Sequence, residues 1–464
     1  MASLAGLLKA AGHTVTGSDE NVYPPMSHEL EALGIPYQSG FASANLEPHP
    51  DIVIVGNAIS RGNVELESVL NRKLRYTSAA AVIQDEFIRG RHSLAVAGTH
   101  GKTSTSSLLA WVLEVAGLNP AFLIGGVAEN FGRSFRLTDS KYFVIEADEY
   151  DTAYFDKGPK MWHYLPDTAI VANIEFDHAD IYRDAIAYNF AFSRFINLIP
   201  GNGTLVAGWD SPIVRELSAK SLAPVESFGY SGGDASATDG AHPMWHAEKV
   251  RFGPDGTKFT VLHNGKEWGA VESPLAGAFS VRNILSVIAA AESVGAEPDR
   301  VRDGLRTYKS VKRRMEVRGE AGGVTVIDDF AHHPTAIRET ISAARQKYAG
   351  RRLVAVYEPR SYTAQLREFE GAYQAAFAEA DEIVLAGLFH PERYADSALD
   401  PAALVERWKK AGKRAHYIPA VPDIVAELTE TLGAGDVVLV MSNGGFGGLH
   451  EKLLSALEAP PGKS

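Results

Sequence analysis

Leu94-Ala-Val-Ala-Gly-Thr-His-Gly-Lys-Thr103 is the stretch from which the rest of this chain can be read. Its four apolar residues, Leu94 to Ala97, read as a buried strand. Gly98-Thr-His-Gly101 turns the chain, and a helix is expected from Ser104 through Leu113. Strand, glycine turn, Lys-Thr and helix form the arrangement that cradles phosphates. Backbone N–H groups of the turn and of the helix start point at the anion, and the helix dipole adds to their field. Lys102 is placed to reach terminal phosphates, and Thr103 carries the hydroxyl that such loops set on Mg²⁺. The general pattern G-x-x-x-x-G-K-[ST] asks for glycine at position 96, where this chain has Val96. Alone, the loop therefore also fits an ordinary tight turn with a surface lysine.

The 464 residues suggest about three domains. Hydrophobic residues at 45% and charged residues at 22% describe an ordinary globular chain. No apolar run reaches the roughly 18 residues of a membrane span, and the N-terminus lacks the basic start of a signal peptide. The absence of cysteine excludes disulfides, thiolate nucleophiles and zinc–thiolate sites, which suits the cytoplasm. A formal net charge of −12 argues against nonspecific nucleic-acid binding, so positive charge for anionic ligands must be local.

Up to about Arg91, helix and strand patterns alternate. Ser3 to Ala11 reads as a helix ended by Gly12, His13 to Asp19 as a strand and Pro24 to Leu33 as a second helix. Asp51 to Val55 reads as a buried strand before the loop Gly56-Asn-Ala-Ile-Ser60. This is Rossmann-like organisation, with ligands expected beyond the carboxyl ends of the strands. The chain starts inside or just before the first helix, so the first sheet is expected to lack its opening strand and glycine turn.

From about His92 to Val311, Tyr142–Ile145 and Thr168–Ala172 read as strands. They lead into Glu146-Ala-Asp-Glu-Tyr-Asp151 and Asn173-Ile-Glu-Phe-Asp-His-Ala-Asp180. Carboxylates sharing a sheet edge with a phosphate loop imply Mg²⁺, because a hard cation takes oxygen ligands; a solvated acidic turn is the alternative. Ser231 to Pro243 reads as a loop, and Lys258 to Trp268 as a hairpin turning at Asn264-Gly265. Gly277 to Ala291 reads as a helix. Beyond Lys312, strands at Val324–Asp329, Leu353–Tyr357, Glu382–Ala386 and Asp436–Val440 alternate with helices, which argues a second doubly wound, largely parallel sheet. Their ends carry Asp328-Asp-Phe-Ala-His-His-Pro334, Glu358-Pro-Arg-Ser361 and Ser442-Asn-Gly-Gly-Phe-Gly-Gly448. Helix capping or surface exposure would account for His332 and His333, but two histidines at a strand-to-helix junction beside two acids raise a functional role above it.

In this order and together, Gly98 to Thr105, Glu146 to Asp151, Asn173 to Asp180, Arg313-Arg314 and Asp328 to Pro334 resemble the Mur ligase family of ATP-dependent amide-bond-forming enzymes. The family loop is G-T-x-G-K-[ST], which leaves Val96 in place. The resemblance covers essentially the whole chain. It implies an α/β fold of three domains: a Rossmann-like N-terminal domain over 1–91, a central P-loop ATPase domain over 92–311 and a C-terminal Rossmann-like domain over 312–464. It also implies a carboxylate activated by ATP as an acyl phosphate and then attacked by an amine. Two members share Asp-Asp-x-x-His-His-Pro-Thr and act on UDP-N-acetylmuramate. One adds L-alanine; the other adds the recycled murein tripeptide L-alanyl-γ-D-glutamyl-meso-diaminopimelate. Gly56 to Gly62, Glu149 to Lys157, Glu358 to Ser361 and Met441 to His450 are similar to the second. The alanine-adding member typically has Pro-His-Arg-Tyr-Thr-Arg where this chain has Pro359-Arg-Ser-Tyr-Thr-Ala364. Tripeptide ligation in peptidoglycan recycling is the expectation; alanine ligation, or an ATP-binding relic without a UDP site, are the alternatives.

The resemblance also implies roles for residues. Gly98, Thr99, His100, Gly101, Lys102, Thr103 and Ser104 would bind ATP, together with Asn283, Arg314 and Asp329. Lys102 would hold the β/γ-phosphates, and Thr103 and Glu146 one Mg²⁺. His178 would bind a second ion, for which Mn²⁺ suits imidazole better. His332 is the candidate to take the proton of the attacking amine or to position it. Ser18, Asp19, Ala58, Ile59 and Ser60 would contact the uridine end. Arg360, Ser361, Asn443 and Gly444 would hold the peptide, whose carboxylates match an arginine fork. The family's adenine pattern G-x-H-N-x-x-N reads here as Gly277-Ala-Phe-Ser-Val-Arg-Asn283, with Phe279 able to stack on the base. Without the first strand, weak binding of the nucleotide sugar is expected. A cytoplasmic monomer or weak homodimer completes the picture, with neither nucleic acid nor membrane as partner.

Overall fold

The central strand His92–Ala97 shows why the middle of the chain folds as it does. Leu94 and Val96 face one layer of helices, and Ala95 and Ala97 face the other, as the two-residue period of a strand requires. Lys102–Val115 and Ala278–Ser293 cover the first face through Leu108, Leu109, Val112, Ile284 and Ile288. Ala185–Ile196 covers the second through Tyr188, Phe192 and Phe195. Each fully buried aliphatic side chain of this kind contributes about 1.5–3 kcal/mol. The computed structural model describes residues 1–22, 26–230, 242–390 and 397–458. The prolines expected to open the second helix, and most of the expected Ser231–Pro243 loop, lie outside those residues. Among the described residues no helix is long and apolar enough to cross a membrane.

His92–Ala97 lies inside a ten-stranded sheet. The order is Lys266–Ser273, Gly256–His263, Trp245–Gly253, Val225–Gly229, Thr204–Gly208, Thr168–Val171, His92–Ala97, Tyr142–Glu146, Ala121–Ala128, Arg133–Arg136. The strands from Trp245–Gly253 to Ala121–Ala128 are parallel, with antiparallel pairs at both ends. Leu94 pairs with Thr168 on one side, and Val96 with Glu146 on the other. The carboxyl ends of three neighbouring strands therefore open onto one edge. The hairpin turns at Asn264 and Gly265, both at positive φ, as a type I′ turn needs.

A six-stranded sheet follows, in the order Glu316–Ala321, Val324–Asp329, Val437–Met441, Leu353–Tyr357, Glu382–Leu385, Arg414–Tyr417. Only its first strand is antiparallel. Ile327, Ala355, Tyr357 and Leu439 pack one face, and Val326, Val354, Val356 and Val440 the other. This is the doubly wound arrangement expected.

The first part differs in detail. Gly17–Asp19 pairs in parallel with Tyr37–Ser39, and Val53–Val55 with Tyr76–Ser78, as two separate two-stranded pieces. The strand expected from His13 is only three residues long. Val53 and Ile54, expected to be buried, are half-buried. A sheet two strands wide covers little surface: Leu46, Val69 and Leu74 form a small core there, while Leu4, Leu7, Val82 and Ile83 join the core of the middle unit.

Candidate functional site

The phosphate loop is built by two glycines with positive φ. At Gly98 (φ +138) a Cβ would lie 3.2 Å from the backbone N and O of Asn173. At Gly101 (φ +84) it would lie 3.1 Å from Asn283 Oδ1. Gly101 caps the helix Lys102–Val115, which starts two residues earlier than expected because glycine accepts the left-handed turn. The first N–H groups of that helix have no intrahelical acceptor, and no side chain caps them. They are the groups a phosphate would meet. Thr99 and His100 are pinned instead: their N–H groups donate to Asn173 O at 3.0 Å and Asn173 Oδ1 at 2.8 Å. Thr103 is buried, Ser104 is half-buried, and Asn283 is packed against the loop.

Lys102 Nζ donates to Gly98 O at 2.8 Å and lies 2.9 and 2.7 Å from the two carboxylate oxygens of Glu149. Glu149 is wholly buried. It also meets His178 Nε2 at 3.1 Å, and Tyr188 OH donates to its Oε1 at 3.2 Å. Burial pulls the Lys102 ammonium down, but Glu149 and Asp148 outweigh it and move it up. His178 behaves alike: burial lowers it, and the bond to Glu149 with the charge of Asp177 lifts it.

Thr103 Oγ1 donates to Glu146 Oε1 at 3.0 Å, and Gly125 N donates to Oε2 at 2.7 Å. Burial raises the Glu146 carboxyl. Thr103 and Glu146 are together, as expected for one cation. His178 pairs with Glu149, three residues further on, so the expected ligands fall into two neighbouring groups. Glu149 is the residue the sequence reading passed over. It stood in the quoted acidic stretch, but nothing local distinguishes the one acid that turns inward.

The C-terminal unit reaches this edge. Arg314 donates to Thr103 Oγ1 at 3.3 Å and lies over the Phe330 ring at 4.8 Å. Asp329 accepts from Met315 N and Ala331 N, each at 2.8 Å; its carboxylate orders the segment that presents Arg314. His332 donates from Nδ1 to Phe330 O at 3.0 Å, leaving Nε2 as the acceptor, 3.9 Å from Asp177 Oδ2. Burial holds His332 below the ordinary histidine value despite Asp177. A narrow cleft runs beside it, lined by Asp177, Ser361, Thr363 and Tyr373. His333 is the cap of Pro334–Lys347, accepting from Thr335 N at 3.3 Å, the simple reading for that histidine.

Arg360 lies against the Phe389 ring at 3.8 Å and 3.7 Å from Glu358 Oε1. It fits there because Gly444 has no side chain: a Cβ would be 2.3 Å from Arg360 Cδ. Gly444 O and Ser442 O accept from Arg313 at 2.6 and 2.7 Å. Asn443 Oδ1 is buried without a partner. Ser361 Oγ accepts from Ala364 N at 3.2 Å. These residues follow the adjacent strands Leu353–Tyr357 and Val437–Met441, which brings them together. Ser18 and Asp19 end the strand Gly17–Asp19, and the turn through Ala58, Ile59 and Ser60 follows the strand Val53–Val55 of the other two-stranded piece. Ser18 Oγ donates to Glu65 Oε1 at 2.7 Å. Near Gly277, Ser280 Oγ donates to Ala276 O at 2.7 Å, so its hydroxyl turns back onto the segment just before its helix.

Three family models match in succession: the Mur ligase family catalytic domain over residues 1–89, the Mur ligase middle domain over 96–291 and the Mur ligase glutamate ligase domain over 313–444. The UDP-N-acetylmuramate–L-alanyl-γ-D-glutamyl-meso-2,6-diaminoheptandioate ligase of Escherichia coli K12 is 42% identical, covering 98% of this chain and 96% of its own length. The chain belongs to the Mur ligase family. With membership comes ATP-dependent amide-bond formation. A UDP-N-acetylmuramate–L-alanine ligase of Salinibacter ruber is 33% identical over 99% of this chain and 93% of its own. The crystal structure of a murein peptide ligase from Psychrobacter arcticus 273-4 superposes with a TM-score of 0.72 at 36% identity, over 100% of this chain and 97% of that one.

Proposed function

We propose that this Mur ligase joins L-alanyl-γ-D-glutamyl-meso-diaminopimelate to UDP-N-acetylmuramate in peptidoglycan recycling. The observation that carries this reading is the 42% identity to a tripeptide-adding relative over nearly the full chain, against 33% to an alanine-adding one. The helix N-terminus and Lys102 hold the β/γ-phosphates of ATP. Lys102 leaves Gly98 O and Glu149 to do so, and both stay within its reach. Thr103 Oγ1 and Glu146 Oε1, 3.0 Å apart, are oxygen donors of the kind Mg²⁺ takes. An ion held there would neutralise phosphate charge. Arg314, which donates to the same Thr103 Oγ1, adds a guanidinium that stabilises the charge of the γ-phosphate as the muramate carboxylate attacks it.

The tripeptide amine then displaces phosphate and must lose a proton. With Nδ1 donating to Phe330 O and burial lowering the ring's pKa, Nε2 of His332, 3.9 Å from Asp177 Oδ2, carries the free lone pair at neutral pH, so it takes that role. Arg360 and the unpartnered Oδ1 of Asn443 address the peptide's carboxylates and amine groups. Ser18, Asp19 and Ala58 to Ser60 receive the uridine end. The reaction is assigned to the cytoplasm, with the chain as a monomer or weak homodimer.

The test is ADP release and product mass with UDP-N-acetylmuramate, ATP and either tripeptide or L-alanine. The tripeptide should be favoured at least tenfold in kcat/KM. Preference for L-alanine would replace the proposal with alanine ligation.

A further inference from the structure

His100, Glu175 and His333 meet where the phosphate loop faces the C-terminal unit, and none of them has a side-chain task in the chemistry above. His100 Nε2 lies 3.1 Å from Glu175 Oε2, and His333 Nδ1 lies 3.7 Å from the same oxygen. One donor atom from each residue falls within 4.8 Å of the other two. The imidazole rings are 4.7 Å apart at their centroids. We infer that these three side chains form a binding site for a transition-metal dication of the Zn²⁺ class, fastening the C-terminal unit to the phosphate loop.

Geometry and donor chemistry both support this. A tetrahedral ion with bonds of about 2.0–2.1 Å holds its donors about 3.3–3.4 Å apart. The separations from Glu175 Oε2 to the two imidazole nitrogens, 3.1 and 3.7 Å, bracket that spacing. Two imidazoles and one carboxylate suit Zn²⁺ or Co²⁺ far better than Mg²⁺, which prefers oxygen alone. The set is also chemically distinct from the all-oxygen pair Thr103 and Glu146. Each ligand stands on a fixed backbone. Asn173 binds both the N–H and the carbonyl of His100. Thr99 Oγ1 does the same for Glu175, at 2.9 Å each way. His333 is held as the N-cap of the helix Pro334–Lys347. Metal binding would cost His333 only its long 3.3 Å bond from Thr335 N. The Glu175 side chain is 40% exposed, which gives an ion a route in, while the histidines are shielded at 16% and 9%. Three protein donors would leave a four-coordinate ion one position for solvent.

The test uses the full chain, stripped of metal and without nucleotide, titrated with Co²⁺ and read by its visible absorption. One saturable Co²⁺ per chain with the strong band of four-coordinate cobalt is expected, and Zn²⁺ should displace it. Glu175→Gln and His333→Asn should each weaken Co²⁺ binding at least tenfold. Asn keeps a helix-capping side chain at position 333, and circular dichroism checks that both variants fold. His178→Asn, which alters the neighbouring histidine on Glu149, should leave the band unchanged. Absence of the band, its persistence in both variants, or its loss in His178→Asn would overturn the inference.

Discussion

Glu149→Gln tests whether the buried carboxylate holds the phosphate-loop lysine. Glu149 is wholly enclosed and touches Lys102 Nζ through both oxygens, at 2.9 and 2.7 Å. The substitution keeps the volume but removes the charge. Lys102 then remains largely enclosed, with its side chain 12% exposed, and keeps Gly98 O as its hydrogen-bonded acceptor. Removing one partner of such a pair costs about 3–5 kcal/mol. The lower end applies, because glutamine still accepts a bond from Tyr188 OH. For a unit of roughly 200 residues each kcal/mol moves the melting midpoint by about 2–4 °C, so a fall of about 6–12 °C is expected. Thermal unfolding followed by circular dichroism at neutral pH reads it. Lys102→Met in the same chain should return part of the loss, since the stranded charge is gone. A midpoint within about 2 °C of the unsubstituted chain, or strict additivity of the two substitutions, would refute the reasoning.

His332→Gln should lower kcat by about 10²–10⁴-fold, with KM for ATP unchanged in steady-state assays. Burial lowers the folded pKa of His332. Its base form therefore survives as pH falls past the ordinary histidine value of about 6.5, and the acid limb of kcat should lie below that pH; a limb at or above it would exclude His332 as the base. Arg314→Ala removes the guanidinium at Thr103 and should reduce kcat/KM for ATP by about 10–150-fold, the worth of a hydrogen bond to a charged group. Gly444→Ala would put a Cβ 2.3 Å from Arg360 Cδ. KM for the peptide should rise while KM for ATP stays constant, and equal effects on both would place Arg360 elsewhere in the mechanism.

The doubly wound organisation was legible because buried parallel strands read as short apolar runs, and Leu94–Ala97, Leu353–Tyr357 and Val437–Met441 are such runs. The first part was less legible. Val53 and Ile54 look like core residues, but two-stranded pieces give them little to pack against. In the site, the phosphate loop announced itself through local chemistry: two glycines that positive φ requires, then Lys-Thr at a helix start. Glu149, Asp177 and Glu175 did not, although they stand in stretches already marked as acidic.

By itself the sequence marked the central apolar strands of the two larger sheets and the functional groups that follow them, because these depend on neighbours within a few residues. Only tertiary structure decided the partners. The order of strands placed Glu146 beside Val96 and the Asn173 turn beside Gly98. It turned Glu149 inward to Lys102 and His178, and it brought Arg314 and His333 across more than 150 residues of chain to the phosphate loop. An acid's role here depends on whether burial strips its water and which cation replaces it, and both are set by segments far away in sequence.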